Sequence, residues 1–237
     1  MSQLQRRAVG VSLVVAALAV NVPYSALIAT FDYPDVLRAP PGEVLTRFHA
    51  GGPALIGLWL AFAWVGAPLL YAIPNLTAVA FHARDSTRLK TATMLGIAGL
   101  FAQIVGLSRW VFVVPGIARA YVAADEASRP ALIAVFEAVH AFGGVLIGEH
   151  VGQAFTVGWM ALVGLEIVQT RALPRWIGGL GLVAAAVYGL AQAELLATVI
   201  PGFPQWEPAG LVGSLLWLGF LLALGIALLR PQAEAAR

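Results

Sequence analysis

Cysteine is absent from the 237 residues, which excludes disulfides, thiolate metal sites, iron–sulfur clusters and thiol nucleophiles within this chain. Charge is scarce as well: Asp, Glu, Lys and Arg together make up 11% of the sequence, where soluble domains carry roughly 25%. Lysine occurs once, at Lys90, so no retinal-type Schiff base can form deep inside an apolar segment. A net charge of +2 comes with no basic run long enough to bind nucleic acid, and neither nucleic acid nor an acidic partner is implied. His-Glu-x-x-His, a Gly-x-Ser-x-Gly elbow and phosphate-binding glycine loops are also missing.

What the chain does have is apolar surface. Sixty per cent of its residues are hydrophobic and the mean hydropathy is +0.85, a composition that cannot cover a water-soluble protein of this size. In lipid, each helical span needs about 20 apolar residues and must satisfy its own backbone. The expected fold is therefore all-α, a polytopic transmembrane bundle of six helices forming one domain over residues 1–237. Runs between Pro-, Gly- and Arg-marked breaks place the spans at about 8–30, 51–73, 91–114, 144–168, 176–198 and 210–229. Arg6 and Arg7 precede a signal-like apolar run, but it reaches Thr30 without a small-x-small cleavage site, so it is read as the first span.

With the N-terminus in the cytoplasm, Arg6, Arg7, Arg84, Arg88, Lys90, Arg171, Arg175, Arg230 and Arg237 lie inside, and Arg38, Arg47, Arg119 and Arg129 outside. Nine against four is the sense the positive-inside rule requires, and it puts both termini in the cytoplasm. The outer segment Phe31–Ala50 contains a stretch expected to form a short interfacial helix after Pro41. A helix over Ala131–Phe142, joined to the fourth span, would be about 60 Å long, so its first third must leave the membrane or tilt. Gly143 and Gly144 are the natural hinge, and Pro74 is expected to kink the second span.

One internal similarity stands out. His49-Ala50-Gly51-Gly52-Pro53-Ala54-Leu55-Ile56-Gly57 matches His140-Ala141-Phe142-Gly143-Gly144-Val145-Leu146-Ile147-Gly148 at six of nine places. This fits either three repeated two-helix hairpins or chance likeness among Ala/Gly/Leu-rich helices.

Charged groups inside spans cost about 2.5–3.5 kcal/mol each on insertion scales and turn toward the protein interior. The third span carries Arg109. The fourth carries Glu149, His150 and Gln153, the fifth Gln192 and Glu194, and the first Asn21 and Tyr24. Most of these fall roughly 8–14 Å below the expected outer boundary, so four helices place polar groups in one layer. On an α-helix Glu149 and Gln153 share a face, and Gly144, Gly148 and Gly152 form a small-residue stripe that lets a neighbour approach. Arg109 with Glu149 or Glu194 reads either as an internal ion pair that pins helices, or as a ligand site in which the guanidinium holds an anion or polar head group.

His49, His140 and Glu137 are the candidates for a haem or metal site, since Glu137 and His140 are one helical turn apart. The competing reading is that these histidines cap helix ends at the interface. Glu149 and His150, about 100° apart on a helix, do not form an acid–base dyad with each other. Glu166 is expected to reach toward Arg171 or Arg175. The seven tryptophans, Trp59 and Trp110 among them, read as interface anchors or packing residues.

Through Arg109-Trp110-Val111-Phe112-Val113-Val114-Pro115 and Gly148-Glu149-His150-Val151-Gly152, the chain resembles an uncharacterised bacterial membrane-protein family, domain of unknown function 4386. The resemblance spans nearly the whole chain, with Val151 standing where the family usually has Leu. It implies a six-helix protein of the bacterial plasma membrane and says nothing of activity. Three readings of function remain open. The first is a membrane protein whose outer-side polar pocket binds, moves or senses a small polar or amphipathic molecule, a membrane lipid included. The others are an intramembrane enzyme or haem/metal redox protein, and a scaffold with a buried ion pair. A transporter of this size would need to dimerise to supply two alternating halves.

Overall fold

The computed structural model describes residues 2–81 and 86–231. Arg84 and Arg237, two of the nine basic residues assigned to the cytoplasmic side, lie outside them. Among the described residues the chain is all-α, with six helical stretches long and apolar enough to cross a membrane: Gln3–Phe31, Pro41–Ala80, Thr87–Ala123, Arg129–Thr170, Arg175–Ala197 and Ala209–Leu229. It is a multi-pass membrane protein.

The first stretch comprises α1 (Gln3–Ala19) and α2 (Asn21–Phe31). It ends where Asp32 turns left-handed (φ 57°) and returns its N–H to the Ile28 carbonyl, an αL cap. Pro41 opens α3 (Pro41–Trp64) from its first turn, a place where no N–H is required. The expected interfacial helix is therefore the beginning of α3, set off by a kink at Gly52 (φ 55°, ψ −152°). Pro53 explains the kink, since it cannot donate to the preceding turn and disfavours α geometry in the residue before it. The second interruption falls at residues 65–67, ahead of α4 (Pro68–Ala80), with Pro74 lying inside that helix.

The third stretch is α5 (Thr87–Phe112) and α6 (Val114–Ala123). The fourth is α7 (Arg129–Val139), a π-helix over His140–Val151, and α8 (Gly152–Thr170). The π-helix occupies the place where the glycine hinge was expected. Then come α9 (Arg175–Leu190), α10 (Gln192–Ala197) and α11 (Ala209–Leu229).

The chain forms two compact units. The first gathers the described residues of Met1–Leu18, Ala67–Leu100 and Gly152–Arg237. In it, α9 packs against both α8 and α11, through approaches so close that a Cβ on Gly178 would sit 2.6 Å from the Gly164 carbonyl oxygen. Arg6 ties helix ends together there, donating from Nε to Leu228 O (3.1 Å), from Nη2 to Ala227 O (3.1 Å) and from Nη1 to Val79 O (3.3 Å). A cation on the last carbonyls of a helix is favoured by both the hydrogen bonds and the helix dipole. Glu166, 6% exposed, pairs with Arg88 at 2.9 Å, not with Arg171 or Arg175. Arg88 also donates to Gln169 (2.6 Å), so α5 supplies the partner expected from the loop after α8.

The second unit, Ala19–Gly66 with Phe101–Val151, has an aromatic core. In it α3 packs against α2, α6 and α7 around Phe31, Phe48, Trp59, Trp110 and Phe136, all buried.

Candidate functional site

Arg109 sits in the last turn of α5 and is 7% exposed. Its place follows from glycines. A Cβ on Gly106 would lie 2.8 Å from both the Gly143 carbonyl oxygen and the Gly148 nitrogen, so α5 and the π-helix meet backbone to backbone. Gly144 leaves the notch into which the guanidinium fits, for a Cβ there would stand 2.5 Å from Nη2 and 2.6 Å from Cζ. In the first unit the same stripe continues with Gly152, whose carbonyl oxygen lies 3.0 Å from where a Gly99 Cβ would be.

Within this notch Arg109 donates from Nη1 to Gly106 O at 2.5 Å and from Nη2 to His140 Nδ1 at 3.4 Å. Its Cζ lies 5.3 Å from the Trp110 ring centroid. Glu149 is near enough for its charge to act on the guanidinium. A guanidinium has no acceptor, so the His140 contact needs a bare Nδ1 and puts the imidazole proton on Nε2.

Beside the guanidinium, Trp59 and Trp110 stack with centroids 4.8 Å apart and planes 12° from parallel. Phe31 meets Trp110 edge-on at 5.6 Å, Phe48 leans on it at 5.4 Å, and Phe136 stacks on His140 at 5.8 Å. Such pairs are each worth about 0.5–1.5 kcal/mol beyond the area they bury. Tyr33 packs edge-on against Trp59 and Tyr24 against Tyr33, so Tyr24 joins the cluster through its ring. Against this stabilisation stand three buried N–H groups without a hydrogen-bond partner among the described residues: Arg109 Nε, Trp59 Nε1 and Trp110 Nε1. Each such group costs about 1–3 kcal/mol of lost solvation.

The candidates from sequence divide between the units. Arg109, Glu149, His150, Asn21 and Tyr24 belong to the second, and Gln153, Gln192 and Glu194 to the first. The second unit brings Glu149 to Arg109, while His150 is exposed and Asn21 lies exposed at the start of α2. The first joins Gln192 Nε2 to Gln153 Oε1 at 2.8 Å, and Glu194 comes near Gly210. His49 and Glu137 are exposed, and His140 turns to Arg109. Among the described residues no three His, Asp or Glu side chains gather as a metal-ligand set. Of the two readings the sequence offered for Trp59 and Trp110, interface anchor or packing residue, the structure shows packing, with both 0% exposed. The Arg-Trp adjacency was the signal available for one of them.

No curated protein and no solved structure matches the chain. The family model for the domain of unknown function DUF4386 matches residues 8–225. The chain thus belongs to the DUF4386 family.

Proposed function

We propose that this protein binds a small polar or amphipathic molecule at Arg109, with Glu149 and His140 beside it, and that it moves or senses that molecule in the bacterial plasma membrane. One observation carries the reading: a guanidinium 7% exposed keeps an N–H without a partner among the described residues. Arg6, which ties helix ends together, differs in that each of its three nitrogens donates to a carbonyl. Buried charge in a membrane helix is costly enough that an unsaturated one favours a task beyond packing. The nine-to-four distribution of basic residues favours cytoplasmic termini, which sets the site toward the outer leaflet.

The test is native mass spectrometry on protein extracted gently from its own membrane, wild type beside Arg109→Gln. A mass retained by the wild type and lost by the variant supports the reading, and two bare proteins refute it. A scaffold reading draws on the Arg109–His140 contact, which joins α5 to the π-helix. On that reading Arg109→Leu/Glu149→Leu folds almost as well as wild type while either single variant is damaged, because a lone buried charge is the costly state.

A further inference from the structure

Building on the reading above, we propose that the Arg109 site takes an oxyanion, the carboxylate or phosphate head of an amphiphile whose apolar part lies against the neighbouring rings. The argument is a balance of donors and acceptors. Among the described residues, the buried side-chain atoms without a partner are Arg109 Nε, Trp59 Nε1 and Trp110 Nε1, and every one of them can only donate. They are also neighbours, the two indoles stacked at 4.8 Å and the guanidinium carbon 5.3 Å from the Trp110 centroid. His140 offers Arg109 only its bare Nδ1, at 3.4 Å, and leaves the guanidinium Nε–H unanswered.

A partner for such a cluster must bring acceptors and no donors. A carboxylate has about four acceptor positions and no proton to place, whereas water brings two hydrogens that would need acceptors of their own. Ammonium heads and sugar hydroxyls fail for the same reason. The Arg109 charge selects an anion over a neutral carbonyl, because charge-assisted bonds are roughly twice as strong. Phe31, Phe48 and Phe136 packed on Trp110 make the surroundings of the donors apolar, which suits an amphiphile better than a wholly polar ion. Glu149 acts on Arg109 through its charge, so a bound anion competes with it for the guanidinium.

The experiment uses the full chain in dodecyl maltoside with indole-15N tryptophan, titrated with decanoate or with decyltrimethylammonium. Decanoate is expected to move the Trp59 and Trp110 indole N–H resonances downfield and saturably, leaving exposed Trp176 and Trp206 unmoved. Arg109→Gln should weaken that binding at least about tenfold, and Glu149→Gln should tighten it. The same shift in phosphatidylglycerol nanodiscs without decanoate identifies a membrane lipid as the source of the oxyanion, and a shift that needs decanoate identifies a free acid. Movement of these two resonances with decyltrimethylammonium and not decanoate overturns the oxyanion assignment while leaving a binding site in place. No movement with any of the three overturns the assignment and the binding reading beneath it.

Discussion

Two adjacent glycines of the π-helix offer a sharp comparison. A Cβ built on Gly144 stands 2.5 Å from Arg109 Nη2, 2.6 Å from Cζ and 3.0 Å from Nε, three atoms of one rigid plane. Comfortable contact needs about 3.5 Å, so in Gly144→Ala the whole guanidinium must retreat by about 1 Å. It cannot do so and keep both the Gly106 carbonyl at 2.5 Å and His140 at 3.4 Å. Losing a hydrogen bond to a buried charge costs about 1.5–3 kcal/mol, and overpacking costs about 1–3 kcal/mol, for a total of about 2.5–6 kcal/mol. On Gly143 the same methyl would stand 3.5 Å from Arg109 Cδ, an ordinary contact, so Gly143→Ala should change stability by less than about 0.5 kcal/mol. Thermal unfolding in detergent reads both. In an Arg109→Ala background the penalty for Gly144→Ala should largely vanish, since the two residues are coupled through one clash. Equal behaviour of the two glycine variants, or a penalty that persists without Arg109, refutes the reasoning.

The remaining expectations probe other parts of the chain. Gly52→Ala should cost about 1–3 kcal/mol, because φ 55°, ψ −152° is a conformation essentially reserved to glycine, while Gly57→Ala, with nothing within 4 Å of its Cβ, should be neutral or stabilising; the two melting temperatures decide. Arg88→Leu should lower stability by about 2–3 kcal/mol by stranding the buried Glu166 carboxylate. Glu166→Leu should do less harm, since Arg88 is a third exposed and can turn to water, and chemical denaturation of the two variants compares them. The hydroxyl and amide of Ser128 hold the Asp125 carboxyl below its ordinary value of 3.8. That turn is therefore fully stabilised above pH 3.8 and loosens as pH falls through the lowered folded value, which the Ser128 amide shift should follow and Asp125→Asn should abolish.

Much of the fold was legible because lipid imposes length and hydropathy on every span, which suffices to number the six stretches and to fix the class. Local breaks were less legible. Pro41 read as the start of a separate interfacial helix, yet Gly52-Pro53 bends α3 without ending it. At Glu166 the sequence offered near basic neighbours, and the partner came from Arg88, 78 positions away. In the candidate site, Arg109 was legible as a charge inside a span, and Glu149 as a carboxylate at comparable depth. Trp59 and Trp110 were not, because an aromatic in a membrane helix looks the same in sequence whether it anchors at the interface or stacks in a core.

His140 was harder still, and helix winding explains why. An i→i+5 ladder takes roughly 4.4 residues per turn, where an α-helix takes 3.6. From His140 to Glu149 is nine residues, which is about two full turns of a π-helix and two and a half of an α-helix. Read as α, the two side chains point to opposite faces, and His140 belongs with Glu137. Wound as π, they return to the same face, where His140 meets the guanidinium that Gly106 and Gly144 admit and Glu149 acts on it through its charge. The two similar segments thus depart from α geometry in different ways: Gly52-Pro53 makes a kink, and Gly143-Gly144, with no proline, lies in the widened helix. The kink leaves His49 exposed, and the widened winding turns His140 inward. One difference between the two segments, Pro53 against Gly144, stands at the position of the notch that receives Arg109. A proline at position 144 would carry ring atoms into the space the guanidinium fills, so the second segment can hold the charge only because it lacks that proline.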